Sequence, residues 1–292
     1  MRSVKYLISA GAASLLPTMA IAADMPIMPP PPAAYAPPPQ DPCCNFGGWY
    51  LRGDVGFSNQ SVNHVLDTNP AAYDNVNVSQ TSSFGSAGIF DVGAGYQFNS
   101  WFRGDVTAQW RGKSNFTGLD VVTGTGPLAG FVGTDSYAAT KSELVFLANA
   151  YVDLGTWWCV TPFIGAGIGT ARVSIGDFSD TGFFHIPPFP SAPVTSYNYG
   201  GSASQWNFAW AAHAGLAYKV SPSLTIELAY TYIDMGSGLT GATSSFDQVT
   251  NTTHAPFKFN DITSHDVTLG VRWNFDTPQA PVQYQMPLVR KG

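Results

Sequence analysis

The sequence predicts an all-β fold, an eight-stranded antiparallel transmembrane β-barrel with short periplasmic turns and long extracellular loops. Three observations lead to this prediction. Apolar residues alternate with polar or small residues in eight segments, the connections between segments are alternately short and long, and aromatic residues cluster at both ends of the segments. A strand that faces lipid on one side and a lumen on the other produces all three.

The clearest segment is 266–275. In it Val267, Leu269 and Val271 share one face of the predicted strand, and Asp266 and Thr268 share the other. The eight segments are 49–58, 88–98, 101–111, 143–154, 160–171, 207–220, 224–232 and 266–275. Segment 266–275 is expected to pair with 49–58, because closing the ring removes the exposed sheet edges.

The connections favour a membrane barrel over a soluble one. Short connections follow Phe98, Leu154 and Val220, whereas long ones of roughly 25 to 35 residues follow Ser58, Arg111, Ala171 and Tyr232. The alternative is a soluble eight-stranded barrel or a β-sandwich with the apolar face inside. Only 11% of the residues are charged, which is few for a water-exposed surface. The lipid-facing interpretation is therefore preferred.

Outside the barrel the chain divides by composition. Arg2 and Lys5, an apolar run and small residues before Asp24 predict a signal peptide at 1–23. Proline-rich stretches predict a periplasmic linker at 24–47 and an unstructured tail at 276–292, which leaves 48–275 for the barrel. Removal of Arg2 and Lys5 changes the formal charge from -6 to -8, and this acidic balance argues against nucleic acid as a partner.

Charged residues recur on the polar faces, so they are expected to form an ion-pair network inside the lumen. The predicted network consists of Arg52, Asp54, Asp91, Arg103, Asp105, Glu143, Asp153, His213, Lys219, Glu227, Asp266 and Arg272. Two Arg-Gly-Asp triplets begin at Arg52 and Arg103 and could suggest adhesion, but their inward position would hide them from any receptor.

Two chemical alternatives involve histidine. His213 and Glu227 lie on neighbouring segments, but His213 is mid-strand, whereas catalytic triads on barrels lie at the outer rim, so no enzyme activity is expected. His64, His185 and His254 fall in predicted loops without metal-ligand spacing. They could capture haem, although solvated loop histidines are the simpler interpretation. We expect neither a metal nor a cofactor.

Aromatic residues at the segment ends predict two girdles at the membrane interfaces. The girdle residues are Trp49, Phe98, Phe102, Trp110, Tyr218, Tyr230, Tyr232, Trp273 and Phe275. Near one girdle, Cys159 follows the fourth strand on the side where Cys43 and Cys44 enter the first. We predict a disulfide between Cys159 and one of this vicinal pair, with a Cys43–Cys44 bond as the alternative.

Together with the signal peptide, three motifs carry a family resemblance: GWYLRGDVG at 48–56, AAHAGLAY at 211–218 and VRWNF at 271–275. In these the chain resembles the alphaproteobacterial outer-membrane β-barrel surface proteins, the porin-like major outer-membrane antigens. The resemblance implies a structural protein of the Gram-negative outer membrane that contributes to envelope integrity and surface interaction. The alternative is a porin-like channel or a protein that binds haem or another ligand.

The resemblance also implies partners. These are outer-membrane lipid and lipopolysaccharide, the barrel-assembly machinery, and host or environmental surface ligands or haem. Family members commonly end on the final aromatic residue, whereas here residues follow Phe275. This departure puts in doubt a simple recognition of the chain end during assembly.

Overall fold

A computed structural model describes residues 48–185, 194–246 and 251–275, and these residues are built almost entirely of β-strands. The strands are β1 Gly48–Ser61, β2 His64–Asp67, β3 Val76–Phe84, β4 Ala87–Gln97, β5 Phe102–Gly124, β6 Val132–Asp153, β7 Val160–His185, β8 Val194–Gly200, β9 Ala203–Lys219, β10 Leu224–Asp234, β11 Gly238–Leu239, β12 Thr243–Phe246, β13 Asn251–His254, β14 Phe257–Asn260 and β15 Thr263–Asn274. Short 3-10 helices occupy Pro70–Tyr73 and Gly126–Leu128. Within the described ranges, no helix is long and apolar enough to cross a membrane.

Eight of these strands close into a ring, in the order β1, β4, β5, β6, β7, β9, β10, β15 and back to β1. All eight pairings are antiparallel, which confirms the predicted barrel. The closing pair has the expected partners, with Leu51 opposite Trp273 and Ser58 opposite Asp266. The predicted signal peptide, linker and tail, and Cys43 and Cys44, lie outside the described residues.

The short connections are tight turns with specific local chemistry. Trp157 and Val160 exchange two backbone hydrogen bonds of 2.9 Å around Trp158 and Cys159, whose φ angles are 51° and 62°. Positive φ at both central residues is the geometry of a type I′ hairpin turn, which matches the twist of the strands it joins. In the turn after β4, the side-chain oxygen of Asn99 accepts hydrogen bonds from the backbone N–H groups of Trp101 and Phe102.

The outer surface of the ring is apolar and ends in two aromatic belts. The inner belt lies near the short turns and contains Trp49, Tyr96, Phe98, Trp101, Phe102, Tyr218, Trp273 and Phe275; the outer belt contains Phe57, Trp110, Trp206, Phe208, Trp210, Tyr230 and Tyr232. Ring centroids within the inner belt lie 5.3 Å apart for Trp49 and Tyr96 and 5.1 Å apart for Tyr96 and Phe98. Along β1 the two belts are about 26 Å apart, close to the height of a lipid-facing band.

Much of the long connections is β-strand in the described residues, and this corrects the predicted strand boundaries. The third segment was expected to end at Arg111 and the fourth to begin at Glu143, but β5 continues to Gly124 and β6 begins at Val132. Strand β7 continues to His185 rather than ending at Ala171. Because about ten residues suffice to cross a bilayer, these strands extend the barrel wall well beyond the outer belt. We call this part of the wall the extension; it includes 112–124 of β5, 132–142 of β6 and 172–185 of β7.

The pattern of side chains inverts in the extension. Below the outer belt the inward residues are mostly polar, whereas in the extension the inward residues include Phe116, Tyr137 and Phe178. The outward positions include polar residues such as Asn115 and Thr117, next to apolar ones such as Leu119. Above the membrane the outside faces water, so apolar side chains are buried inside instead.

Two irregularities change which residues face inward. The β5–β6 register shifts between Arg111 and Ser114, and the β6–β7 register shifts near Gly176 and Asp177, where Asp177 has a φ of 53°. Each bulge inserts an extra residue and so reverses the parity of the strand beyond it. On β5 and β7 the inward residues of the extension therefore occupy positions that a strict two-residue period would place outside, whereas β6 keeps its parity.

An apolar core fills the extension and covers the lumen. Phe84, Phe116 and Phe259 are all buried, and the Phe116 ring centroid lies 5.0 Å from Phe84 and 4.9 Å from Phe259. The rings of Phe178 and Phe257 lie beside them, with centroids 4.8 Å apart. Since Phe257 and Phe259 belong to β14, which forms a small sheet with β2 and β11, this sheet supplies side chains to the core from inside the wall.

Candidate functional site

The lumen within the membrane-spanning part holds a cluster of three arginines around one carboxylate. Glu227 on β10 lies 3.4 Å from the Arg103 Nη1 atom, 3.4 Å from the Arg272 Nε atom and 3.9 Å from the Arg52 Nη2 atom. The arginines come from β5, β15 and β1, so the cluster joins strands from across the barrel. We call this group the Glu227 cluster.

Three aspartates also pair with arginines of the Glu227 cluster. Arg52 binds Asp54 at 2.8 Å and Asp105 at 3.1 Å, and the Arg103 Nε atom lies 3.3 Å from Asp153. Four carboxylates thus surround three guanidinium groups, and all of these side chains are buried. Buried charges are tolerated only when they are paired in this way.

Aromatic side chains line the same cluster. The Arg103 guanidinium lies 4.3 Å from the ring centroid of Tyr151 and 4.7 Å from that of Phe163. The Tyr50 hydroxyl donates to Asp105 at 3.2 Å. Flat arginine groups stack well on such rings, and these contacts fix the guanidinium orientation.

A second charged group lies nearer the extension. Arg111 pairs with Asp266, and Lys141 pairs with Glu143, each in direct contact. The Lys141 ammonium also lies 4.4 Å from the Phe84 ring, at the base of the apolar core. This group therefore marks the level at which the polar lumen gives way to the extension.

The predicted lumen residues divide into three sets. Arg52, Asp54, Arg103, Asp105, Asp153, Glu227 and Arg272 are brought together, and Glu143 and Asp266 belong to the second group. Asp91 accepts a hydrogen bond from Gln109 at 3.4 Å, and Lys219 borders a small cavity with Asp153 and Arg272. The His213 ring contacts neutral partners instead, Thr231 Oγ1 at 2.9 Å and Asn149 Oδ1 at 3.2 Å.

Arg111 and Lys141 were missing from the predicted network. Arg111 could have been found, because it continues the inward alternation of Arg103, Asp105 and Gln109. Lys141 precedes the expected start of its strand by two residues and has the same parity as Glu143. Only the true start of β6 at Val132 places it inside the wall.

The lumen is filled by side chains. Two cavities within it have volumes of about 30 Å³ and about 20 Å³, each enough for roughly one water molecule. The larger is lined by His213 and Thr231, among others. The interior thus resembles the filled core expected for an eight-stranded barrel rather than a channel.

The three histidines that were predicted to lie in loops lie on strands instead. His64 lies on β2, His185 ends β7 and His254 ends β13, and all three side chains are exposed. Across the described parts of the chain, no cluster of three or more histidine, cysteine or acidic side chains is arranged to hold a metal ion. Cys159 is disulfide-bonded. Because Cys43 and Cys44 are outside the described residues, the pairing stays a prediction.

Sequence comparison gives a consistent family match. The profile of a family described as outer membrane protein beta-barrel domain matches residues 33–275. An uncharacterised protein of Brucella abortus is 28% identical over 251 residues, covering 78% of this chain and 85% of the relative. Outer membrane protein PagN of Salmonella typhimurium is 27% identical, covering 65% and 75%. A candidate adhesin of Rickettsia typhi is 25% identical, covering 79% and 89%.

Solved structures with related folds are outer-membrane barrels. Neisserial surface protein A aligns with a TM-score of 0.39 and 15% identity, covering 78% of this chain and 97% of that protein. The outer membrane protein OprG of Pseudomonas aeruginosa aligns with a TM-score of 0.43 and 14% identity, covering 80% and 100%.

Proposed function

We propose a role for this chain, which belongs to the outer membrane protein β-barrel family and lies in the outer membrane of a Gram-negative bacterium. It is a surface protein that neither conducts ions nor catalyses a reaction. Its role is to support the envelope and to hold the extension at the cell surface for interaction with host or environmental ligands. The observation that carries this proposal is the combination of a filled lumen with a wall that continues beyond the membrane.

Several contacts support a scaffold rather than a catalyst. The ring nitrogens of His213 contact Thr231 and Asn149, and the adjoining cavity of about 30 Å³ leaves no room for a substrate larger than water. Adhesin-like relatives favour surface interaction over transport. The proposed partners are outer-membrane lipid and lipopolysaccharide at the two belts, the assembly machinery during insertion, and a ligand at the extension.

The filled lumen predicts that the purified protein does not conduct ions steadily. In planar lipid bilayers we expect a flat baseline, because the Glu227 cluster and the apolar core both block the path. A matched outer-membrane porin inserted under the same conditions is the positive control. A stable open conductance of nanosiemens scale would instead support the porin-like alternative.

The surface role predicts that the extension is needed for adherence but not for assembly. Replacing 116–139 with an Asn-Gly turn removes the upper part of the β5–β6 hairpin and leaves the eight membrane-spanning segments intact. We expect the shortened protein to migrate differently before and after boiling, as folded barrels do. Cells that display it should adhere to cultured epithelial cells less than cells that display the full chain. Equal adherence would contradict the surface role.

Haem binding is the second candidate, and the exposed position of His64, His185 and His254 is the observation that favours it. Its test is spectroscopic titration of haem into the protein and into the triple alanine variant. Binding that survives the triple substitution would exclude these histidines as ligands.

A further inference from the structure

The far end of the extension contains a cavity of about 290 Å³ that the proposed function does not use. Five aromatic side chains contribute to its wall: Tyr73, Phe131, Tyr137, Phe184 and Phe257. The Phe131 and Phe184 rings are stacked, with centroids 5.7 Å apart. This volume is close to the lower end of the range for small-molecule sites.

Four carboxylates line this cavity: three from the adjacent strands β5, β6 and β7, and Asp67 from the end of β2. Asp120 on β5 lies directly opposite Asp135 on β6, and Asp180 on β7 lies opposite Tyr137 on β6. Directly opposed like charges on neighbouring strands destabilise a sheet. Such an arrangement therefore needs a compensating cation or protonation.

The carboxylates are only half satisfied by protein groups. One Asp120 oxygen accepts from Gln80 and from the Tyr137 hydroxyl, both at 3.1 Å, and one Asp180 oxygen accepts from Asn198 at 2.8 Å. The Oδ1 atoms of Asp120 and Asp180 are buried without a hydrogen-bond partner among the described residues, and each residue is only 4% exposed. Across the same described ranges, neither Asp120, Asp135 nor Asp180 contacts a lysine, arginine or histidine within ion-pair distance.

Gly182 keeps the space in front of Asp135 open. A Cβ atom at this position would lie 2.6 Å from the Asp135 Oδ1 atom and 2.5 Å from the Ser196 Oγ atom. Any side chain here would fill the gap between β6 and β8. The glycine therefore preserves a cradle beside the carboxylate.

We propose that this cavity binds a small organic ammonium ion, with its cationic head against Asp120, Asp135 and Asp180 and its apolar part against the aromatic wall. Ammonium groups are attracted both to carboxylates and to the faces of aromatic rings. A divalent metal fits less well, because in the described residues no group of carboxylates has the arrangement of a metal site. The site goes beyond the scaffold role and does not depend on it.

Binding should require the ionised carboxylates. Burial raises the pKa of Asp135 to about 7 and that of Asp180 to about 6, and it also raises the pKa of Asp120. The other titratable groups that line the cavity are Asp67, Tyr73 and Tyr137. We therefore expect affinity for the ammonium ion to increase between pH 5 and pH 8. Since these folded pKa values lie above the unfolded ones, the ligand-free protein should lose stability as pH rises from about 4 to about 7, and the ligand should restore part of it.

The test is isothermal titration calorimetry at pH 8, with 2-phenylethylammonium chloride as the probe and the full folded chain in detergent micelles. 2-Phenylethanol has nearly the same shape without the charge. We expect saturable binding of the ammonium ion and none of the alcohol. Asp135→Asn and Asp180→Asn should each weaken binding by about tenfold or more, because each removes a charge that the ligand contacts.

The control is Asp177→Asn, the same change at an exposed position on the same strand, which should leave affinity unchanged. Asp135→Asn and Asp180→Asn are expected to fold, since they relieve repulsion, and heat-modifiable migration checks this. Gly182→Ala provides an independent variant that keeps every charge and should also weaken binding. Equal binding of 2-phenylethanol, unchanged affinity in the Asp135→Asn/Asp180→Asn double variant, or displacement of the probe by stoichiometric Ca²⁺ would each overturn the proposal.

Discussion

Replacing Glu227 with alanine is expected to lower the free energy of unfolding by about 3 to 5 kcal/mol. Arg272 pairs with Glu227, and the alanine variant would leave this guanidinium buried without that carboxylate. Arg52 and Arg103 retain Asp54, Asp105 and Asp153. The cost is therefore mainly that of one guanidinium group left without its ion-pair partner inside the barrel. Unfolding of the protein in lipid vesicles by guanidinium chloride measures this loss of free energy.

Two further variants separate charge from packing. Glu227→Gln keeps the size of the side chain and removes its charge, so it should also destabilise the barrel strongly. Adding Arg272→Met to Glu227→Gln removes the stranded cation and should recover a large part of the loss. Asp74→Ala, a change at an exposed acidic residue, should have an effect within about 0.5 kcal/mol. An alanine variant as stable as the parent would mean that Glu227 does not neutralise the arginines.

Replacing Phe116 with alanine is expected to cost about 3 to 5 kcal/mol. Its ring is 1% exposed and packs between Phe84 and Phe259, so truncation would open a cavity in the middle of the apolar core. The loss should appear first in the extension, as faster proteolysis of vesicle-bound protein from the outside. The membrane-spanning part should still show heat-modifiable migration.

Leu119→Ala is the matched control for Phe116→Ala. Leu119 lies on the same strand, but its side chain points outward and is 46% exposed. It should change stability by less than about 0.5 kcal/mol. Equal effects of the two substitutions would show that the inside and outside of the extension have been assigned incorrectly.

The membrane-spanning part of the fold could be predicted because lipid imposes a simple rule: alternate side chains are apolar toward the lipid and polar or small toward the lumen. Strand β15 alternates Val267, Leu269 and Val271 with Asp266 and Thr268, and it pairs with β1 as expected. The same rule applies to each membrane-spanning segment. The inward positions of Arg52 and Arg103 also followed from it.

The extension could not be predicted from that rule, because the solvent on the outside changes from lipid to water at the outer belt. Apolar residues such as Phe116 and Phe178 then face inward, and the bulges near Lys113 and Asp177 reverse the parity at the same places. The alternation that marks a lipid-facing strand ends where the pattern inverts, so the sequence pattern no longer indicates a strand beyond that point. The long connections were therefore interpreted as loops.

The Glu227 cluster illustrates a different limit. The sequence predicts that Glu227 and Arg272 lie on neighbouring strands, and β10 does pair with β15. Arg52 and Arg103 come from β1 and β5, which do not pair with β10 and approach Glu227 through the lumen. Which side chains meet across a barrel depends on strand tilt and rotamers, and a single sequence does not specify these.

The continuation of the barrel wall beyond the outer belt is tested most directly by amide hydrogen exchange of the protein in lipid bilayers. If β5 and β6 extend as a paired hairpin, the amides of 114–123 and 133–141 should exchange nearly as slowly as those of 103–110, which lie within the membrane. Exchange of 114–123 and 133–141 at the rate of an unstructured chain would show that these residues are loops and would contradict the account.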